Sequence, residues 1–178
     1  MSSIEKIISG GQTGADRAAL DFALAHAIPH GGWCPRGRRA EDGPLAERYQ
    51  LAETPDTEYA QRTEWNVRDA DATVIFSVAS ALAGGSQQTA EFARRWEKAC
   101  LHLAREREGA EAAGVLSEFL AAHQVRTLNV AGPRQSEEPE VAGFCRQTLE
   151  GALSHPASGK ARNKPARNNL PLRRPGAK

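Results

Sequence analysis

The sequence predicts an α/β fold, a doubly wound parallel sheet of about five strands with helices between them. Three observations carry this. Short apolar or β-branched runs alternate with segments of helical period from Lys6 to Leu153. The run Ala72-Thr-Val-Ile-Phe-Ser77 is apolar at almost every position, which suits a strand buried on both faces. Two Gly-Gly loops follow strand runs and open helices, as in open parallel sheets that bind ligands at strand ends.

Each element has its own signal. Lys6-Ile-Ile-Ser9 is a short first strand. Arg17 to Ala27 places Ala18, Leu20, Phe22, Ala23 and Leu24 mostly on one helical face, and Pro29 closes that helix. Gly31-Gly32-Trp33-Cys34 reads as a second strand, stopped by Pro35. Arg36 to Thr57 is polar and Pro-containing, so a long functional or mobile loop is expected. Glu58 to Asp69 is a helix and Ala72 to Ser77 the third strand. The next helix begins at Ala90. Ala99 to Leu103 is a fourth strand, Gly109 to His123 a helix, Arg126 to Ala131 a fifth strand, and Glu140 to Leu153 the last helix. Right-handed crossovers and a strand order 2-1-3-4-5 are expected.

The chain has 178 residues, enough for one ordinary domain, which is placed at residues 1–154. Net charge is +1, yet the charges divide. The body to Ser154 holds 16 basic and 22 acidic residues, whereas all seven charges from His155 to Lys178 are positive. That segment also carries Pro156, Pro165, Pro171 and Pro175 and only two leucines. It cannot bury enough apolar surface to offset its ordering entropy, so residues 155–178 read as a disordered basic tail, capable of weak non-specific contact with nucleic acid. No apolar run is long enough to span a membrane and no leader precedes the first strand, so a cytoplasmic protein is expected. Cys34, Cys100 and Cys145 are odd in number and form no CxxC, and no histidine pair has metal-ligand spacing. No structural metal is expected, and Cys100 and Cys145 read as core thiols.

The chemistry should sit at the Gly loops, Ser9-Gly10-Gly11-Gln12-Thr13-Gly14-Ala15-Asp16 and Gly84-Gly85-Ser86-Gln87-Gln88-Thr89. Glycines let backbone approach a ligand, and free N–H groups at a helix start favour an anion. Neither loop has the Lys of a P-loop or the GxGxxG spacing. With strand order 2-1-3-4-5 both would face one crevice. The candidate binding set is Gly10, Gly11, Thr13, Gly14, Asp16, Arg36, Gly84, Gly85, Ser86 and Thr89. Asp16 either caps the first helix or bonds a ligand hydroxyl. Arg36, Arg38 and Arg39 follow the second strand, where an arginine could pair with phosphate. Arg62 and Asn66 share a helix face. Glu91, one turn inside its helix, is either a general acid or base or a favourable charge near the helix start.

The segment IISGGQTGADRAALDFALAHAIPHGGWCPRGRRAEDGP, with YAQRTEWNVRDADATVIFS and GGSQQTAEFA, resembles the signature of the molybdenum carrier family across residues 4–153. That family belongs to the SLOG superfamily of Rossmann-like, three-layer proteins related to the LONELY GUY phosphoribohydrolases. The resemblance implies a phosphorylated, nucleotide-like ligand or molybdenum cofactor over the Gly loops. The phosphoribohydrolases carry an arginine on the helix before the third strand, and Arg62 matches it, with Thr63 where a lysine follows. Their PGGxGTxxE motif is approximated by Gly84, Gly85 and Thr89. Ala83 replaces the proline, the loop is one residue longer, and Glu91 falls at T-x-E. The expected function is therefore a cofactor carrier. The alternative is a nucleoside 5'-monophosphate phosphoribohydrolase using Arg62 and Glu91. Trp65 and Trp96 on amphipathic helices, with helix pairing in the superfamily, imply a homodimer.

Overall fold

A computed structural model describes residues 4–153; the basic segment from His155, and its expected disorder, lie outside the described residues. β1 (Lys6–Ile8) leads through the first Gly loop into α1 (Ala15–Ala25), whose Ala15, Ala19, Leu20, Phe22 and Ala23 are buried at helical spacing. The expected second strand is broken into β2 (His30–Gly31) and β3 (Trp33–Cys34). Gly32 lies between them at φ 117, and a Cβ there would sit 2.4 Å from the Ser9 carbonyl oxygen. Only glycine tolerates that corner.

The expected long loop is structured. It holds β4 (Arg39–Ala40) and β5 (Gly43–Pro44), an antiparallel hairpin, and β6 (Ala52–Glu53), which pairs with β3 in parallel. Leu45, Tyr49 and Leu51 from this segment bury against Leu20 and Cys34. Three apolar side chains spread over seven residues show no period in sequence, which is why the segment reads as loop.

α2 (Tyr59–Asp69) and β7 (Ala72–Ser77) follow as expected. α3 (Gly84–Arg95) starts six residues earlier than the sequence suggests, so the second Gly loop is the helix's own first turn. β8 (Ala99–Ala104), the single turn α4 (Arg105–Glu108), α5 (Ala112–Ala122), β9 (Thr127–Ala131) and α6 (Val141–Leu153) complete the chain. Cys145 is buried, but Cys100 is exposed. It alternates on β8 with Leu101 and Leu103, which pack into the core, and so points the opposite way.

The five main strands are parallel in the order β2-β1-β9-β7-β8. The expected order is therefore wrong as counted from the N-terminus, because β9 separates β1 from β7. Counted cyclically from β7, through β8 and β9 to β1 and β2, the order is 2-1-3-4-5. The sheet is doubly wound, but its first strand in that scheme is the third main strand of the chain. β7 gives Val74 and Phe76 to the large core shared with α1, α5 and α6. By strand alternation Thr73, Ile75 and Ser77 face the other side, where α2 and α3 join through Val67, Phe92 and Ala93. On that side Asn129 donates to the Thr73 hydroxyl at 3.1 Å, pairing two buried polar groups.

Candidate anion-binding site

The first Gly loop coils at the carboxyl end of β1. Gly11 and Gly14 take φ 75 and 86, and the Ser9 hydroxyl accepts the Gly11 N–H while donating to the Asp16 carbonyl. Asp16 does not cap α1; its carboxylate turns back to accept the Gln12 N–H at 3.4 Å and Arg62 Nη1 at 3.3 Å. Both charged side chains are largely buried, 3% exposed for Asp16 and 12% for Arg62. Burial pushes the Asp16 carboxyl above its ordinary range, and the Arg62 guanidinium opposes that rise. Gly10 makes the room: a Cβ there would lie 1.9 Å from Arg62 Nη1.

Arg62 does not stand alone. The guanidinium carbons of Arg39, Arg62 and Arg134 lie 5.9, 5.4 and 5.5 Å from the centre of the Tyr59 ring. They come from the β4–β5 hairpin, from α2 and from the loop after β9. Two of the three already have acidic partners, Asp16 for Arg62 at 3.3 Å and Glu137 for Arg134 at 3.5 Å, so a further anion would meet the remaining N–H groups of the cluster. Two buried donors in this region have no acceptor, Arg62 Nε and Gln12 Nε2. Gln12 Oε1 already accepts the N–H groups of Thr13 and Glu41, which fixes its amide nitrogen as the unpartnered end.

The second Gly loop follows β7, whose carboxyl end lies two strand spacings, about 10 Å, from that of β1 in the same parallel sheet. α3 begins without a side-chain cap, the Ser86 hydroxyl is buried and unpartnered, and Thr89 donates to the Gly85 carbonyl. The glycines of the two loops differ in kind. A Cβ on Gly85 meets open space, whereas one on Gly11 would meet Leu45 Cδ1 at 2.7 Å with φ already positive. Gly85→Ala should therefore stabilise the fold by about 0.5–1 kcal/mol, and Gly11→Ala should destabilise it by more than that. Thermal melts of the two variants should move in opposite directions.

The remaining sequence candidates are dispersed. Arg36 is exposed in the turn before the hairpin, and Arg39 takes the place beside Tyr59 instead. Glu91 is exposed on α3 and accepts a 3.4 Å bond from Gln87. Asn66 uses its amide to hold Trp33, accepting its N–H and donating to its carbonyl. Tyr59 and Arg134 were not legible as members of this cluster, since each joins it only through tertiary packing, whereas Gln12 lies in the first Gly loop without being singled out there.

At the reversal of strand order, between β7 and β9, the chain supplies its own anions. Glu138 accepts the Val78 N–H, Glu106 accepts the Ser80 N–H, and Glu108 accepts the Ala104 N–H. Nearby, Ser77 donates to the Ala79 carbonyl and so accepts from His102 Nε2 at 2.6 Å. With its proton on a carbonyl, that serine is not activated as a nucleophile by the histidine. Of the unpartnered buried groups, Gln12 Nε2 and Arg62 Nε lie at the first Gly loop and the arginine cluster, and the Ser86 hydroxyl lies at the start of α3. No group of three or more His, Cys, Asp or Glu able to hold a metal occurs among the described residues. No described helix is long and apolar enough to cross a membrane.

The cyclic shift in strand order has a counterpart in sequence. The model of the circularly permutated YpsA SLOG family matches residues 7–153. The chain belongs to this family. A protein of known crystal structure, named "Putative molybdenum carrier protein", from Syntrophus aciditrophicus, is 48% identical and superimposes with a TM-score of 0.83. The match covers 85% of this chain and 96% of that one. No curated protein matches. The SLOG and molybdenum-carrier resemblance and the Rossmann-like α/β class expected from sequence therefore stand, while the linear strand order does not.

Proposed function

We propose that the protein binds a phosphorylated, nucleotide-like ligand at the carboxyl edge of its sheet and acts as a carrier. One observation bears most of this reading: three guanidiniums converge on the Tyr59 ring beside the buried, unpartnered Arg62 Nε and Gln12 Nε2. A phosphate offers acceptors of the kind these donors lack, and arginine forks match its geometry. The bare start of α3, with its buried Ser86 hydroxyl, supplies a second set of donors for a longer ligand. Molybdenum cofactor is the candidate that the name of the Syntrophus aciditrophicus relative suggests, with molybdenum as cargo. The site would work in the cytoplasm and in a homodimer, whose mass in solution checks that part.

The phosphoribohydrolase alternative needs an acid beside the glycosidic bond. Glu91, its sequence candidate, is exposed and bonded to Gln87, so the carrier reading is favoured. Calorimetric titration with molybdenum cofactor and with AMP, together with an assay for released ribose 5-phosphate, tests the choice. Binding without release is expected. Release would replace the carrier by the enzyme, and absence of binding by both compounds would overturn the site.

A further inference from the structure

Resting on that reading of the crevice, we propose that Glu41 is the built-in occupant of a second anion subsite, and that a ligand carrying a second anionic group, as a diphosphate does, displaces it. Glu41 and Asp42 form the tip of the β4–β5 hairpin. The Glu41 carboxylate accepts the Thr13 hydroxyl, the Ser136 N–H at 3.2 Å and the Ser136 hydroxyl at 2.5 Å. These donors come from two loops, one after β1 and one after β9, and converge on one point next to Arg134. Their effect is electrostatic as well as geometric: the Ser136 and Thr13 hydroxyls hold the Glu41 carboxyl below its ordinary range. The Gln12 amide, 4% exposed, holds the Glu41 backbone N–H through its oxygen, and its buried Nε2 finds no acceptor. The loop that seats Glu41 thus carries a buried donor left without an acceptor.

The occupant is also easy to dislodge. The hairpin is two residue pairs long, and none of its residues from Arg39 to Pro44 is buried. Polar contacts secure its tip, among them the paired bonds from Arg17 to Asp42, each 3.1 Å. Ala40 at the base of the hairpin packs against the cluster around Leu20 and Leu45, so the Glu41 side chain at the exposed tip can yield its donors to a phosphate while that base stays in place.

Titration of the full chain with inorganic pyrophosphate tests this. Glu41→Gln keeps the shape and removes the competing charge, so it should bind pyrophosphate about tenfold more tightly than the unaltered chain, the equivalent of one charge-assisted hydrogen bond. Adding Ser136→Ala to Glu41→Gln should reverse most of that gain, because the hydroxyl then serves the ligand alone. Equal or weaker binding by Glu41→Gln would show that Glu41 only pins the hairpin. A gain that survives Ser136→Ala would be a general charge effect, and would likewise overturn the subsite. If neither protein binds pyrophosphate while AMP still binds, the second subsite fails and the first stands. If no anion binds either protein, both fall.

Discussion

Arg62→Ala should lose both affinity and stability, and the stability loss should depend on pH. The guanidinium is the basic partner of a carboxylate whose side chain is 3% exposed. Removing one member of a buried pair costs about 3–5 kcal/mol, because the other charge stays behind. Asp16 escapes part of that by taking up a proton. Its folded pKa is already raised by burial and would rise further without Arg62. A carboxyl with a raised folded pKa binds more protons in the native state, so it lowers stability as pH rises from the unfolded value through the folded one. The variant should therefore be least stable relative to the unaltered chain near neutral pH and should recover toward pH 4. Denaturant melts across that range check the sign. Affinity for an anion should fall by about 1.5–3 kcal/mol from the lost charge-assisted bond.

Gly10→Ala should reproduce much of this without touching a charge. The new methyl would lie 1.9 Å from Arg62 Nη1, 2.5 Å from Cζ and 2.8 Å from Nε. All three atoms are the far end of a flexible side chain, so the guanidinium moves and the backbone stays. The displaced arginine leaves Asp16 buried without its partner and vacates its place beside Tyr59. Loss of anion binding comparable to that of Arg62→Ala is expected, with a cooperative thermal transition retained. Gly10→Ala binding an anion as well as the unaltered chain would show that the position of Arg62 does not matter.

Local pattern made most of this fold legible. The buried runs of β7 and β9 and the helical spacing of α1 and α2 depend on neighbours in sequence, and these elements form within two residues of the expected bounds. Strand order does not depend on neighbours. The placement of β9 between β1 and β7 follows from the cyclic shift of the whole chain, which no single strand announces. The break at Gly32 and the hairpin at Arg39–Pro44 were hidden for a related reason, since two-residue strands carry no period. At the site, Gly10, Thr13, Asp16 and Arg62 were visible because glycine-rich loops and an inward helix face are sequence-local signals. Arg134 was not, because an arginine after a Gly-Pro turn looks ordinary until it meets Tyr59 in space, and Gln12 does not stand out within the loop because its burial and unpartnered Nε2 are not sequence-local.

Arg134 also offers the most direct test of the anion crevice. Its ion-pair partner is Glu137, 3.5 Å away on the exposed side of the same loop, so Arg134→Ala breaks no buried pair. The measurement is the AMP dissociation constant of the unaltered chain and of Arg134→Ala, by calorimetry in the same buffer. A crevice built from Arg39, Arg62 and Arg134 predicts binding weakened about tenfold or more with the melting transition unchanged. Equal affinity in the two proteins would contradict it, and would place the ligand away from the Tyr59 ring.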